Sequence, residues 1–393
     1  MKYGLITFKE TENIGDDIQS YSIMRFLPKI DYYIEREKLD LFVPKNKEQI
    51  ITVMNGWFLH SKLNFPPSPY IYPLYISTHI SCYESRGIST EFLTDYSLQH
   101  LKKYEPIGCR DSGTSKLLTE NGIKNYISGC LTLTIKKNKN VKKKGYICIV
   151  DIDSKAEEYV KEKFHDKKII KRTHTLIKEE NKKLSWEQRF KNVEELLDTY
   201  QAADLVITSR LHCALPCLAL NVPVILLYDE EKKYTKDRLS DYAKIVNSMT
   251  TKEFLERGYD LINAGVNNPD IYLDIRNKIE KKLNSLLKNT NTNDLEINLP
   301  NIEDYKNYYI EPKKNIDYLH KIVVQKLEKL IEDNIENEYA IEYWKKEFDK
   351  LLKIGDAQEL KEKSTELNIL TQKYEELSLE NYYLKERLNK YEN

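Results

Sequence analysis

The stretch from Ile207 to Leu227, "ITSRLHCALPCLALNVPVILL", constrains the fold more than any other part of the chain. It reads as strand, turn, helix and strand, with flanks too continuously apolar to face water on either side. Such runs belong to a parallel sheet covered on both faces. The turn carries Arg210 and His212, and that is awkward for a core, because a guanidinium stays charged and demands acceptors. Leu205 to Thr208 end the strand, and Ser209 reads as the N-cap. Pro216 cannot donate to a helical ladder and restricts the residue before it. The regular helix therefore starts near Pro216, or a first turn at Arg210–His212 is kinked there. Both options leave Arg210 and His212 at the carboxyl end of a strand beside unpaired backbone N–H groups, a receptor for a compact anion such as phosphate or carboxylate.

The same alternation runs along most of the chain. Tyr3 to Phe8 is a strand, followed by an amphipathic helix from about Ile18 to Phe26 that Pro28 stops. "QIITVMNGWF", ending at Phe58, gives a second strand with Gly56 at its exit, and "LYISTHIS", ending at Ser81, a third. "EPIGCRDSGTSKLLTENGI" offers a short strand and a helix capped by Ser112 or Thr114 and closed by Gly122. After the lysine-rich run Lys136–Lys144, read as a solvated linker, come strand Tyr146–Val150, helix Ala156–Phe164, strand Lys168–Arg172 and helix Trp186–Tyr200. The expected architecture is α/β: two Rossmann-like domains, residues 1–135 and 145–288, facing each other across a cleft. Ligands in such folds sit at the carboxyl ends of the strands.

A polar connector is expected over 289–312 and a charged helical extension over 313–393. Leu360, Leu367, Tyr374, Asn381 and Leu388 recur every seven residues, with Leu370, Leu377, Leu384 and Tyr391 as the second seam. This predicts a coiled coil from about residue 360 and a homodimer built through it.

Charge and cysteine content narrow the function classes. Lys+Arg and Asp+Glu are equal at 62 each, so bulk charge gives no argument for nucleic acid as a partner. No apolar run is long enough to span a bilayer, and the opening "MKYGLITFKE" reads as a first strand rather than a signal peptide. The six cysteines show no CxxC spacing. Buried thiols in a reducing cytoplasm fit that pattern better than disulfides or a zinc site.

Two further turns hold candidate chemistry. "ETENIGDDIQS" follows the first strand, and its Asn13, Gly15 and Asp16 form a tight loop presenting amides and a carboxylate. The glycine spacing of a dinucleotide fingerprint is missing. "GCRDSGT" puts Arg110 before Asp111 at another strand exit.

Taken together, "NIGDDIQ", "GCRDSGTSKLLTENGI…YISGCLTLTI" and "SRLHCALPCLALNVPV", in this order and spacing, resemble the polysaccharide pyruvyl transferase family over roughly residues 1 to 250. The resemblance implies a glycosyltransferase-B-like pair of Rossmann domains. It also implies phosphoenolpyruvate as donor, a sugar of a cell-surface glycan or its lipid-linked precursor as acceptor, and phosphate as leaving group. The donor-site Arg-Leu-His of the family falls on Arg210, Leu211 and His212, the arginine of its RD segment on Arg110, and its Asn-x-Gly-Asp loop on Asn13, Gly15 and Asp16. Two positions depart from the pattern: Cys213 stands where glycine is frequent, and a glycine run is reduced to Asn55–Trp57.

These readings converge on one scheme. Arg210 and Arg110 bind the anionic donor, with Ser209, Leu211, Asn13 and Gly15 shaping the site. His212 handles one proton, since an imidazole titrates at roughly pH 6.5. Asp16 handles another or orients a hydroxyl. The scheme calls for no cofactor and no metal. It places the protein in the cytoplasm, at the inner face of the membrane where the acceptor is lipid-linked, with peripheral contact through its lysine-rich segments. The rival readings are a nucleotide-sugar-dependent glycosyltransferase in the same cleft and a non-catalytic scaffold in glycan assembly.

Overall fold

The computed structural model describes residues 1–46, 48–58, 65–80, 95–229 and 241–290. Most of the connector, the helical extension with its coiled coil and expected homodimer, and Cys82 lie outside the described residues. Every pairing between described strands is parallel, and helices connect and cover them. The protein is α/β.

The first half contains β1 (Lys2–Thr7), α1 (Ile14–Met24), β2 (Tyr32–Glu35), β3 (Ile50–Val53), β4 (Gly56–Phe58), β5 (Ile71–Leu74) and β6 (Thr78–Ile80). It continues through α2 (Asp95–Lys103), β7 (Ile107–Cys109), α3 (Ser112–Glu120) and β8 (Asn125–Ile127). Four strands bond in the order β2-β1-β3-β5 and four in the order β4-β6-β7-β8. The stretches read above as single strands ending at Phe58 and Ser81 are therefore each broken in two. Gly56 (φ +110°) and Ser77 (φ +58°) leave the extended region at the two breaks. Ser77 is held there by its amide donating to Ser128 Oγ (2.9 Å) and its hydroxyl donating to the Gly129 carbonyl (2.6 Å). The Met54 amide still donates to the Leu74 carbonyl (2.9 Å) and the Gly56 amide to that of Ser77 (3.2 Å), so the neighbours stay together through the kink.

The second half holds β9 (Tyr146–Val150), α4 (Ser154–Lys163), β10 (Lys168–Arg172), α5 (Lys178–Asn181), α6 (Trp186–Ala202), β11 (Leu205–Thr208) and α7 (Leu211–Ala219). Then follow β12 (Val224–Tyr228), β13 (Asn247–Thr250), α8 (Thr251–Asn263) and α9 (Ile271–Asn289). One sheet orders its strands β10-β9-β11-β12-β13. β9 and β11 are buried along their whole length, as central parallel strands must be.

Several boundaries differ from expectation for local reasons. α1 begins at Ile14, not Ile18, because the Asn13 side chain accepts from the Gly15 amide (3.0 Å) and caps it. α3 is capped by Asp111, whose carboxylate accepts from the Thr114 amide (3.0 Å), not by Ser112 or Thr114. α7 runs through Pro216 from Leu211, with Arg210 at the cap position and no side-chain cap bond. Ser209 is thus not the N-cap; its hydroxyl donates to the Asp151 carbonyl instead. Residues 136–140 and 142–144 are exposed, as a linker should be, yet the run is tethered. Asn138 and Gln201 exchange bonds of 2.9 and 2.6 Å, and the Lys144 amide donates to the Ala202 carbonyl (2.9 Å).

The cores cross that linker in both directions. Ile14 and Ile18 of α1 pack with Cys148, Val206, Leu215 and Val224 of the second half. Ile279 and Leu283 of α9 return to pack with Leu5, Ile51 and Leu74 of the first. Among the described residues no helix is long and apolar enough to cross a membrane.

Candidate functional site

The candidate residues leave the carboxyl ends of three parallel strands: Asn13, Gly15 and Asp16 follow β1, Arg110 follows β7, and Ser209 to His212 follow β11. The loop after β1 is pinned to the loop after β10. The Ile14 amide donates to the His174 carbonyl (2.9 Å), the Leu176 amide donates to the Glu12 carbonyl (2.8 Å), and Asn13 and Thr175 form an antiparallel bridge. This sets the first turn of α1 against the first turn of α7. A Cβ on Gly15 would stand 3.1 Å from His212 Cβ and 3.2 Å from His212 Nδ1. Glycine weakens a helix by about 1 kcal/mol relative to alanine; here the approach of the imidazole explains it. His212 is 7% exposed.

A chain of polar side chains leads from this contact to Arg110. Asp16, half-buried, accepts from the Thr11 hydroxyl (2.6 Å) and from Gln19 Nε2 (3.2 Å). Gln19 Oε1 accepts from Arg110 Nη1 (3.2 Å), and the Asn55 side-chain amide donates to the Gln19 carbonyl (3.0 Å). Arg110 Nε lies 3.5 Å from Asp111 Oδ2, which is also 2.5 Å from His79 Nδ1. Burial pushes the Asp111 carboxyl up, but the His79 bond and charge, the Arg110 guanidinium and the Thr114 amide outweigh it and hold it well below the usual carboxylate range. Gln19, Asp111 as a partner of His79, and His79 itself were not singled out in the sequence. Lone polar residues inside a helix or strand carry no signal of a network.

Arg110 is 2% exposed, so its guanidinium does not project from a loop tip but is built into the wall between the halves. Arg210 differs, with a side chain 40% exposed. Its Nε donates to Asp151 Oδ2 (2.8 Å) and its Nη2 approaches Thr175 Oγ1 (3.5 Å). Asp151 also accepts from the His174 amide (2.9 Å). Burial raises its carboxyl, and bonds from Thr173, His174 and Arg210 more than reverse this, so it stays ionised beside the arginine. Leu211 does not line an open surface. It is 7% exposed and packs in the core with α1 and α6, where it anchors the turn.

Cys213 fills the place behind His212. Burial raises its thiol, yet bonds with Cys217, His174 and Thr208 hold it down at about 6, while Cys217 is pushed well above its ordinary value. His174 in turn bonds the Tyr200 hydroxyl (2.8 Å), so the residue after the histidine is a packed, hydrogen-bonded member of the core. On the other side of Arg110 lies a cavity of about 380 Å³, lined in part by Tyr126, Gly129, Tyr242 and Lys282.

An α/β protein of parallel strands, with its polar candidates at three carboxyl strand ends, is the class that fold and site define. Within it, the chain belongs to the polysaccharide pyruvyl transferase family, whose model matches residues 13–231. The matched span opens at Asn13 and includes every site residue expected from the sequence, from Asn13 to His212. No curated protein matches the chain. Among solved structures, it is similar to a functionally uncharacterised protein from Klebsiella pneumoniae, at 12% identity over 63% of this chain and 92% of that one, TM-score 0.40. It is also similar to the Methanocaldococcus jannaschii UDP-GlcNAc 2-epimerase in complex with UDP-GlcNAc and UDP, at 13% identity over 82% and 99%, TM-score 0.33. The wall teichoic acid polymerase TagF aligns at 11% identity over 73% and 90%, TM-score 0.33.

Proposed function

We propose that the protein transfers a pyruvyl group from phosphoenolpyruvate to two hydroxyls of a saccharide, forming a ketal and releasing phosphate, within a glycosyltransferase-B-like pair of domains. The observation that carries this reading is the apposition of Gly15 and His212, with Asp16 wired through Gln19 to Arg110. It gathers an imidazole, a carboxylate and a guanidinium from both halves around one seam, and Arg210 stands two residues from the imidazole. Phosphoenolpyruvate is small and multiply anionic, and guanidinium groups are the side chains best shaped to meet phosphate and carboxylate.

The chemistry needs a proton on the donor's methylene carbon, which leaves an oxocarbenium-like centre on its neighbour. One sugar hydroxyl adds there and loses its proton. The phosphate departs with the electrons of its C–O bond, and the second hydroxyl closes the ketal and loses its proton. Two hydroxyl protons are given up; the methyl group gains one and the phosphate carries the other. His212 is assigned one of these transfers and Asp16 the second, or the holding of a hydroxyl. Arg210, at the exposed edge, meets the donor first, and Arg110 sets the charge of the inner wall.

Purified protein mixed with phosphoenolpyruvate and a panel of saccharides should release phosphate and yield products heavier by a pyruvyl ketal in mass spectrometry. His212→Ala should fold normally and lose about 100- to 10,000-fold in turnover, the usual range for a general acid or base. Release of nucleotide from nucleotide sugars, with none of phosphate from phosphoenolpyruvate, would replace this reading by glycosyl transfer.

A further inference from the structure

Three arginines of the site and its surroundings pair with aspartates, and the pairs are of two kinds. Arg189–Asp17 and Arg110–Asp111 are sealed in the interior, with side chains at most 3% exposed. Arg210–Asp151 opens to solvent, with the arginine at 40% and the aspartate at 15%. An ion pair so exposed to water contributes little to stability. Yet Asp151 is tied down far more heavily than a surface partner needs to be.

Asp151 stands one residue past β9 with φ at +49°, the left-handed region that a residue with a Cβ seldom enters. Glycine would sit there without strain, so an aspartate in that place needs a use for its side chain. Both its main chain and its side chain hold the turn that carries the arginine. The Asp151 carbonyl accepts from the Ser209 hydroxyl, and Oδ2 accepts from Arg210 Nε (2.8 Å) and from the His174 amide (2.9 Å). The His174 carbonyl in turn accepts from the Ile14 amide (2.9 Å). One carboxylate thus ties Arg210 to the loop after β10, and through it to the loop after β1.

The guanidinium has two forks. Nε and Nη2 form the inner one, and Asp151 occupies it together with Thr175 Oγ1, 3.5 Å from Nη2. Nη1, in the outer fork, makes no hydrogen bond among the described residues. That outer edge is the one able to meet a phosphate or carboxylate in two parallel bonds. An arginine without an inner anchor would spread over many rotamers and lose that freedom on binding.

We infer that Asp151 is a positioning residue, which takes the inner fork of Arg210 so that the outer fork stands ready for the anionic donor. This rests on the donor role proposed for Arg210 above. Calorimetry on the full chain with phosphoenolpyruvate, and with UDP as the rival anion, is combined with donor KM and kcat. Asp151→Ala should weaken phosphoenolpyruvate about tenfold in Kd and KM, because binding must then order one long side chain. Its kcat should change by less than about twofold, since the proton-handling groups are untouched. Asp151→Gly removes the side chain and relieves the backbone, so it should show the same loss with a higher Tm than the alanine protein. Asp151→Asn keeps an oxygen for Nε and the His174 amide and should recover most of the affinity. Added to Arg210→Ala, Asp151→Ala should cost nothing further, because it acts through that arginine. If it weakens the Arg210→Ala protein as much as the parent, the positioning role is overturned and the donor reading stands. The same holds if Arg210→Ala lowers affinity and Asp151→Ala does not. Dependence on both residues for UDP, with none for phosphoenolpyruvate, would keep the positioning role and end the donor reading. If neither anion depends on Arg210, both are wrong.

Discussion

Asp16 and Asp17 are neighbours in sequence and stand in opposite kinds of environment. Asp17 is 2% exposed and receives Arg189 of α6 through Nε (3.0 Å) and Nη2 (2.7 and 2.9 Å). The same Nη2 also donates to the Phe8 carbonyl (2.7 Å) and Nη1 to the Lys9 carbonyl (3.1 Å), and the guanidinium carbon lies 4.5 Å over the Trp186 ring. Every charge in this clamp has its partner inside the protein. Asp16 is half-buried, with a hydroxyl and an amide as its partners, next to a glycine pressed on an imidazole. One side of the first turn of α1 thus locks the halves together through Asp17, and the other presents groups whose bonds can be exchanged for those of a substrate. The same turn can serve both purposes because the clamp fixes where it sits.

The comparison breaks if the clamp carries no stability. Burial pushes the Asp17 carboxyl up to about 6 against the pull of Arg189. Arg189→Ala removes that pull, leaves the carboxyl to stay charged without a partner or take up a proton, and should destabilise the protein by about 3–5 kcal/mol in denaturant unfolding. Adding Asp17→Ala to it should restore part of the loss, because the two substitutions share one interaction. A loss below about 1 kcal/mol would mean that the halves are held by their shared apolar core alone. The smaller test lies two residues earlier in the same turn. Gly15→Ala puts a methyl 3.1 Å from His212 Cβ and 3.0 Å from Asn13 Oδ1, so the imidazole must give way by a few tenths of an ångström. Turnover should fall about tenfold, while Tm holds or rises because alanine favours the helix. A fall in Tm with unchanged turnover would make the contact a matter of packing and not of the reaction.

How far the sequence led follows the same division. β9, β10 and β11 fall on the residues expected of them; in β9 and β11 a short apolar run between polar turns leaves little freedom, and in β10 the Ile169–Ile170 pair marks the strand. The first-half strands did not, since their breaks depend on Ser77 being roped to Ser128 and Gly129, some fifty residues away and invisible to local pattern. Asp16, Arg110, Arg210 and His212 were legible as charged or titratable groups at strand exits. Gln19 and His79 were not, because what makes them matter is the company that the fold gives them. Leu211 was carried along with its neighbours, and only the direction of its side chain assigns it to the core.

The smallest effect is expected one layer outside the clamp, where the Phe8–Lys9 turn is held from its other side. The Lys9 amide donates to Glu35 Oε2 (2.6 Å), while the Lys9 carbonyl receives Arg189. Burial pushes the Glu35 carboxyl up to about 7 from its ordinary 4.5, against the Lys9 amide and the Arg36 guanidinium, which favour the ionised form. Between these two values the folded protein holds more proton at this position than the unfolded chain does, so stability from this group is complete below about 4.5 and is lost as pH rises through 7. Glu35→Gln keeps an oxygen for the Lys9 amide and removes the titration. Its Tm relative to the parent should therefore climb by a few degrees between pH 5 and pH 8, read by calorimetry in matched buffers. A flat difference across that range would mean that the carboxylate reaches enough water to ionise at no penalty, and that the clamp at Asp17 holds the turn without a protonated partner behind it.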